Sequence, residues 1–570
     1  MRRPLTLGVT ALAMIAVEGW ARTDELGPLG QVPGPPICRA GPTDAAATPP
    51  PLFEGLGRLS YKIATASSEA QAYFDQGLRW AFAFNHHEAR RAFVQAQRLD
   101  PGCAMCAWGE ALVLGPNINQ SMKPEDNPAA LAALGRAKRL AAQAQPHEQA
   151  LIAALAQRYG GEGYGGEGGR ADLDKAYGEA MAGVVRDFPA DVTIRVLAAE
   201  ALMNTQPWDY WQADRRTPKG RGGDIVALLE AALAAEPDHP GAIHLYIHAV
   251  EASDDPGRAL PHARRLEGQM PAAGHLVHMP SHIYYRLGLW KDSLAVNRQA
   301  VQADERYFAQ AGAAPGIYRN GYYPHNIHFL LVSAQMGGHG ADAIAAAEKL
   351  AATVSEDGVR QVPWAQPIKA APYFSHAQFS EPELVLTLPD PGAGLPYVRA
   401  LWHYARGIAL AEMHDATAAR AEARAIAAAI ADPAIAELEG NAVPAGDVLR
   451  IARLVVLGRA EQAEGKLDRA QALFGEAVAI EDKLSYTEPP WWYYPVRQSL
   501  GATQLLAGDA KAAAATFREA LERVPNNGWA LWGLLQAQRA QGDATAAAET
   551  EKAFRRAWAG DPRMLQLAGL

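Results

Sequence analysis

The chain has little cysteine, no cluster of basic residues and no apolar stretch of membrane length, and each shortage excludes a class of explanation. Three cysteines in 570 residues, Cys38, Cys103 and Cys106, cannot staple a fold, so a packed core must hold it. In "CAMC", Cys103 and Cys106 either close a disulfide at a helix start in an oxidising compartment or pack as small apolar residues. Acids outnumber bases by 62 to 53, giving a formal net charge of −9. With no basic run, nucleic acid is not an expected partner. Spanning a bilayer takes about 20 consecutive apolar residues, and the mature chain has no such run. Phosphate loops, dinucleotide fingerprints, nucleophile elbows and HExxH motifs are missing too, which argues against a conventional hydrolase or dehydrogenase.

The first residues do carry a short apolar run. Arg2 and Arg3 precede Leu5 to Val17, and small residues follow at Gly19 and Ala21. This is too short for a span and has the layout of a secretory signal. Residues 1–21 are therefore read as a signal peptide, with a mature protein that is periplasmic or secreted. Residues 22–57, with "GPLGQVPGPP" and "AAATPPP", are too rich in Pro and Gly for regular structure and read as a linker.

What the chain has in quantity is alanine at helical spacing, and that spacing repeats. Gly508, Ala513, Phe517, Ala520 and Pro525 are matched in their first three offsets by Gly465, Ala470, Phe474 and Ala477, and Gly542 and Ala547 stand 34 residues beyond Gly508 and Ala513. Ala89, Phe93, Ala96 and Pro101 repeat the offsets near the start, and Gly288, Ser293, Asn297 and Ala300 keep them with altered residues. Thirty-four residues is the tetratricopeptide period, a helix-turn-helix unit that must stack to bury its apolar face. The expected fold is all-α: tetratricopeptide-type helix pairs stacked into a right-handed α-solenoid. Repeats are expected over 58–355 and 396–570, with an irregular insertion at 356–395. The glycine-rich "GGEGYGGEGGR" at 160–170 reads as a flexible connection.

Histidine is the other concentration. Eight of sixteen lie between 244 and 328. His244 and His248, then His275, His278 and His282, then His325 and His328 fall on the first helices of successive repeats, the helices that line the concave face. Spacings of three, four and seven put each set on one side of its helix. Neighbouring helices pack about 8–10 Å apart, so the three sets can meet. Neutral imidazole suits zinc, copper, nickel and iron, whereas calcium or magnesium would want carboxylates. In an exported protein, copper or zinc is the expected ion, either as one ion with spare histidines or as two with three apiece. Histidine also caps helices and bonds carbonyls across repeats without any metal, and that alternative stays open here.

Other residues point to the same groove as a ligand pocket: Glu200, Asn204, Tyr246, Tyr284, Tyr285, His403, Arg406, Trp492, Tyr493 and Arg497. Aromatic residues at this density also serve as packing between repeats, but so many polar tips exceed what packing needs.

At "YFDQGLRWAFAFNHHEARRAF", "CAMCAWGEALVLGPNIN", "EALMNTQPWDYW", "HPGAIHLYIHAVEAS", "GHLVHMPSHIYYRLG", "YYPHNIHFL" and "EPPWWYYPVRQSLGA" the chain resembles a family of bacterial tetratricopeptide proteins, mostly of unassigned function. The blocks run in the same order from about residue 60 to 545. The resemblance implies an all-helical repeat fold and carries over no reaction and no catalytic residue. Two readings follow. One is a binding protein whose groove takes a peptide, a protein or a small molecule and holds a transition metal. The other is a copper-type oxidoreductase on the same scaffold.

Overall fold

The structure is a computed structural model that describes residues 49–160, 169–311 and 316–570. The expected signal peptide, most of the linker and the centre of the glycine-rich connection lie outside the described residues. From residue 49 onward the chain forms one unit. Among the described residues it is built of helices, with isolated bridges at Asn117–Gln120 and Trp211–Pro218.

The repeat residues explain themselves in three dimensions. Gly508 and Gly542 end inner helices with φ of 87° and 76°, a left-handed turn that other residues adopt at a cost. Asp509 and Asp543 follow, and their carboxylates accept from Ala512 N and Ala546 N to cap the outer helices Ala510–Arg523 and Ala544–Ala557. Phe517 projects from the first of these into the space between two inner helices, Val496–Leu506 and Gly528–Ala540. A Cβ at Gly501 would lie 3.0 Å from its ring, and one at Gly533 only 2.2 Å away. Phe93 is wedged in the same way against Gly77 and Gly109, and Phe474 against Gly458. Each ring is fully buried, and its size sets the gap between successive inner helices.

The solenoid coils back on itself. Gly241, in helix Pro240–Val250, lies against Phe82 at the end of helix Ser68–Phe82, with 2.6 Å from its would-be Cβ to the ring. Further on, Trp290 Nε1 donates to Asn526 O at 2.9 Å, Trp529 Nε1 to Gln335 O at 3.1 Å and Ala559 N to Gly337 O at 3.0 Å. The C-terminal repeats thus close over the central ones. The concave face expected as an open groove is a filled interior there.

Two further points refine the sequence reading. The stretch 356–395, expected to be irregular, contains helices Glu356–Gln361, Gln366–Phe379 and Pro382–Thr387. Pro367 and Pro382 fall in first turns, where a missing N–H leaves no bond unmade. Cys103 and Cys106 are joined in a disulfide at the start of helix Ala104–Val113, which settles the choice between bonding and packing.

Replacing Phe517 with alanine empties the space that separates two inner helices, and such truncations cost about 3–5 kcal/mol. Chemical denaturation of the variant is expected to show the C-terminal repeats unfolding before the rest, at lower denaturant than in the parent protein.

Candidate metal centre

The histidines sit where the coil closes. His244 and His248 are one turn apart on Pro240–Val250; His275 and His278 lie on Gly274–His278, and His282 on Pro280–Arg286, a second short helix that begins at a proline; His325 and His328 lie on Tyr323–Gly337. These are first helices of consecutive repeats, with Leu260–Leu266 and Trp290–Ala311 as the outer helices between them. His244, His248, His275, His278, His282 and His328 are buried, and His325 is half-buried.

Their hydrogen bonds fix how the rings face. His244 Nδ1 lies 2.6 Å from Phe82 O. A carbonyl only accepts, so this nitrogen carries the proton and Nε2 is bare. His248 Nδ1 donates in the same way to Glu251 Oε1 at 2.8 Å. His278 Nδ1 donates to Asn297 Oδ1 at 2.6 Å, and the orientation of that amide is set because Asn297 Nδ2 itself donates to Ser293 O at 2.7 Å. His282 Nδ1 donates to Glu251 Oε2 at 2.6 Å, with Glu488 Oε2 3.1 Å away. Tyr486 adds its hydroxyl to the cluster of acids, donating to Glu488 Oε1 at 2.6 Å and lying 3.3 Å from Glu251 Oε2.

Two groups of three histidines result, each with donor atoms within 4.8 Å of one another: His244, His248 and His275, and His278, His282 and His325; a third group at the same spacing, His248, Glu251 and His282, is the hydrogen-bonded set that joins them. In the first, Nε2 of His244 and His248 and both nitrogens of His275 have no hydrogen-bond partner among the described residues. In the second, His278 Nε2 faces His282 Nε2 at 2.9 Å. Two bare lone pairs cannot sit that close, so either a proton or a metal cation lies between them. Nitrogens sharing a tetrahedral zinc stand roughly 3.3 Å apart, from bonds of about 2.0–2.1 Å, so closing each group takes only small side-chain rotations. These buried groups could hold a metal ion.

The rest of the pocket is aromatic. Phe84 lies 4.4 Å from His244 and stacks on His248 and His275; Phe329 lies within 5.0 Å of His278, His282 and His325. Trp208, 42% exposed, meets His248 edge to face at 5.0 Å. Phe84 and Trp208 both hold a left-handed backbone, at φ 56° and 66°, a conformation that bulky residues keep only where the surroundings impose it.

The structure distributes the remaining expected residues among different roles. His328 belongs to neither group; its Nε2 is 2.8 Å from Tyr493 OH. Tyr285, Trp492, Tyr493 and Arg497 line one pocket of about 160 Å3 whose lining includes neither group of histidines, and Arg497 is also held by both oxygens of Asp482. Asn204 is buried with its amide unpartnered, and burial, opposed by Arg158, raises the Glu200 carboxyl to about 7. Tyr246 and Tyr284 donate to Glu230 and Glu267, and His403 and Arg406 share Glu422. Glu251, Glu488, Tyr486 and Asn297 were not among the expected site residues. Asn297 carried a visible signal: it occupies the repeat position where Phe93, Phe474 and Phe517 stand.

No protein-family model and no curated protein matches the chain. Among solved structures, human IFIT1 in a dimer with m7Gppp-AAAA is similar at 12% identity and TM-score 0.32, over 79% of this chain and 90% of that one. Yeast Tom70 is similar at 10% and 0.26, over 85% and 93%. The P58(IPK) TPR domain is similar at 13% and 0.23, over 78% and 99%. Such values transfer neither family nor activity. The chain's own helices and offsets define a tetratricopeptide-type helical solenoid, and its histidines give that solenoid a buried polar centre.

Protonation follows from the same contacts. Burial pulls His282 down, but Glu251 and Glu488 outweigh it and raise the ring to about 10. Burial pushes Glu251 up, and His282 and His248 override this to hold it well below the carboxylate range. His244, His275, His278 and His325 are pushed well down, burial being the largest cause. A histidine raised on folding adds stability that is complete below its ordinary 6.5 and disappears as pH climbs through about 10. Histidines lowered on folding act in the opposite sense, and their stability is lost as pH falls below 6.5. Metal-free protein is therefore expected to melt highest near about pH 6.5–7, where both contributions are nearly complete, and to melt progressively lower as pH climbs towards about 10. Thermal melts across this range should show Glu251→Gln melting lower throughout and losing less on the alkaline side.

Proposed function

We propose that the chain is an exported solenoid binding protein whose interior holds a transition metal on histidine nitrogen, copper or zinc. The observation that carries this reading is the set of inward Nε2 lone pairs. His244, His248 and His278 have Nδ1 tied to an acceptor, the arrangement that orients metal-binding histidines. Leaving the Nε2 of His244 and of His248 buried without a donor costs about 1–3 kcal/mol each, and a metal removes that cost for both at once. Softer sulfur ligands are not offered and carboxylates lie behind the rings, which favours ions that prefer imidazole.

Export is supported by the apolar run after Arg2 and Arg3 and by the Cys103–Cys106 disulfide, which suits an oxidising compartment. No helix among the described residues is long and apolar enough to cross a membrane. A peptide, a protein or a small molecule is the proposed partner, with the pocket beside Trp492 and Arg497 as one place for it. A copper-type oxidoreductase is the second reading. It is favoured by Trp208, whose exposed ring touches His248 and puts the centre one residue from solvent.

Protein purified without a histidine tag should contain copper or zinc in stoichiometric amount by elemental analysis. Chelation should lower its melting temperature, and His278→Ala should abolish the bound metal. Metal-free protein with a melting temperature indifferent to chelation would leave a plain scaffold. Oxygen uptake by the copper-loaded protein, lost in His278→Ala, would favour the oxidoreductase.

A further inference from the structure

We infer that the centre takes two ions, one in each group of three histidines, and that the single carboxylate of Glu251 makes them load together. The inference rests on the metal reading above and adds a number and a linkage to it.

The count comes from geometry. A protein zinc or copper ion takes about four ligands at about 2.0–2.1 Å, so one ion cannot gather six imidazoles. Each group instead repeats one plan. His244 and His248, four residues apart, are joined by His275 from the next inner helix; His278 and His282, four residues apart, are joined by His325 from the inner helix after that. Ring centres of the two groups come within 5.3 Å at His248–His282 and 6.0 Å at His275–His278, so the groups are neighbours. Three nitrogens apiece leave each ion a position for a further small ligand.

The linkage comes from Glu251. Its Oε1 accepts from His248 in the first group and its Oε2 from His282 in the second, at 2.8 and 2.6 Å. The carboxylate is fully buried and cannot turn to serve one ring without releasing the other. An ion that fixes His248 fixes Glu251, and Glu251 then holds His282 with its Nε2 directed at the second position. The same holds in reverse, as linkage requires. Negative charge from Glu251 and Glu488 also lies between or beside the two ions and offsets their repulsion. Glutamine at 251 has one acceptor oxygen and an NH2 group, so it can accept from one ring only and sets two donors against the other. Glu251 is a positioning residue in this scheme and touches no ion.

The test is native mass spectrometry on the full chain, stripped by chelation and given increasing zinc(II). The parent protein is expected to saturate at two zinc ions and, at half loading, to show mainly the empty and two-zinc species. Glu251→Gln should make the one-zinc species predominant, with the second ion bound about 10–100-fold more weakly. His325→Ala alters a half-buried ring and covers the case in which the Glu251 variant fails to fold. It should bind one zinc at least about 5-fold more weakly than the parent's average. Saturation at one zinc, a predominant one-zinc species in the parent, or a His325→Ala protein that keeps parental affinity would overturn the inference and leave the metal reading standing. A parent protein that binds no zinc and contains no copper would overturn both.

Discussion

Everything in the centre depends on how tightly the solenoid coils. Each buried phenylalanine sets the spacing between two inner helices through the glycines it presses on, as Phe517 does with Gly501 and Gly533. Repeated along the chain, that spacing brings helix Pro240–Val250 onto the end of Ser68–Phe82 and the repeats after residue 520 onto Leu287 and Gly338. A looser coil would leave the inner face as an open groove washed by solvent. Here it becomes an interior, and side chains that would otherwise be hydrated must find partners within the protein.

That enclosure is what makes the histidines informative. An exposed imidazole costs nothing and means little, whereas a buried one must be hydrogen-bonded or strained. The protein satisfies one nitrogen of His244, His248, His278 and His282 with a carbonyl, an amide or a carboxylate and leaves the other side inward. Aromatic walls formed by Phe84 and Phe329 exclude water from those inward nitrogens. Low polarity around the ring strengthens any cation that enters and raises the penalty of keeping the site empty.

Much of this was legible in the sequence, for identifiable reasons. The repeat offsets are local, so Gly508, Phe517 and their equivalents announced helix pairs without any structure. Spacing of four put His244 with His248 and His278 with His282, and both pairs are intact. Beyond one helix the reading weakened. His325 and His328 share a face by spacing, yet only His325 joins the histidines, because Tyr493 arrives from 165 residues away to claim His328. Glu488 reaches His282 and Tyr486 reaches Glu251 from the opposite half of the chain, and no periodicity reports such an approach. Of the aromatic and charged residues expected to form one groove, Tyr246 and Tyr284 turn to acids on outer elements and His403 and Arg406 to Glu422. Local pattern showed which faces were polar, but tertiary partners decided where each polar tip went.

The centre also draws on Phe82 and Phe84 at one end and Glu488 at the other. Helical arrays ordinarily tolerate gain or loss of a unit, since each contacts only its neighbours. Between these two points this array has no such freedom. Inserting or deleting one unit would rotate every later element about the superhelical axis and carry Glu488 away from His282. Unequal recombination, the usual way such genes grow, is therefore closed to this segment, and length variation among its descendants should be confined to the flanks.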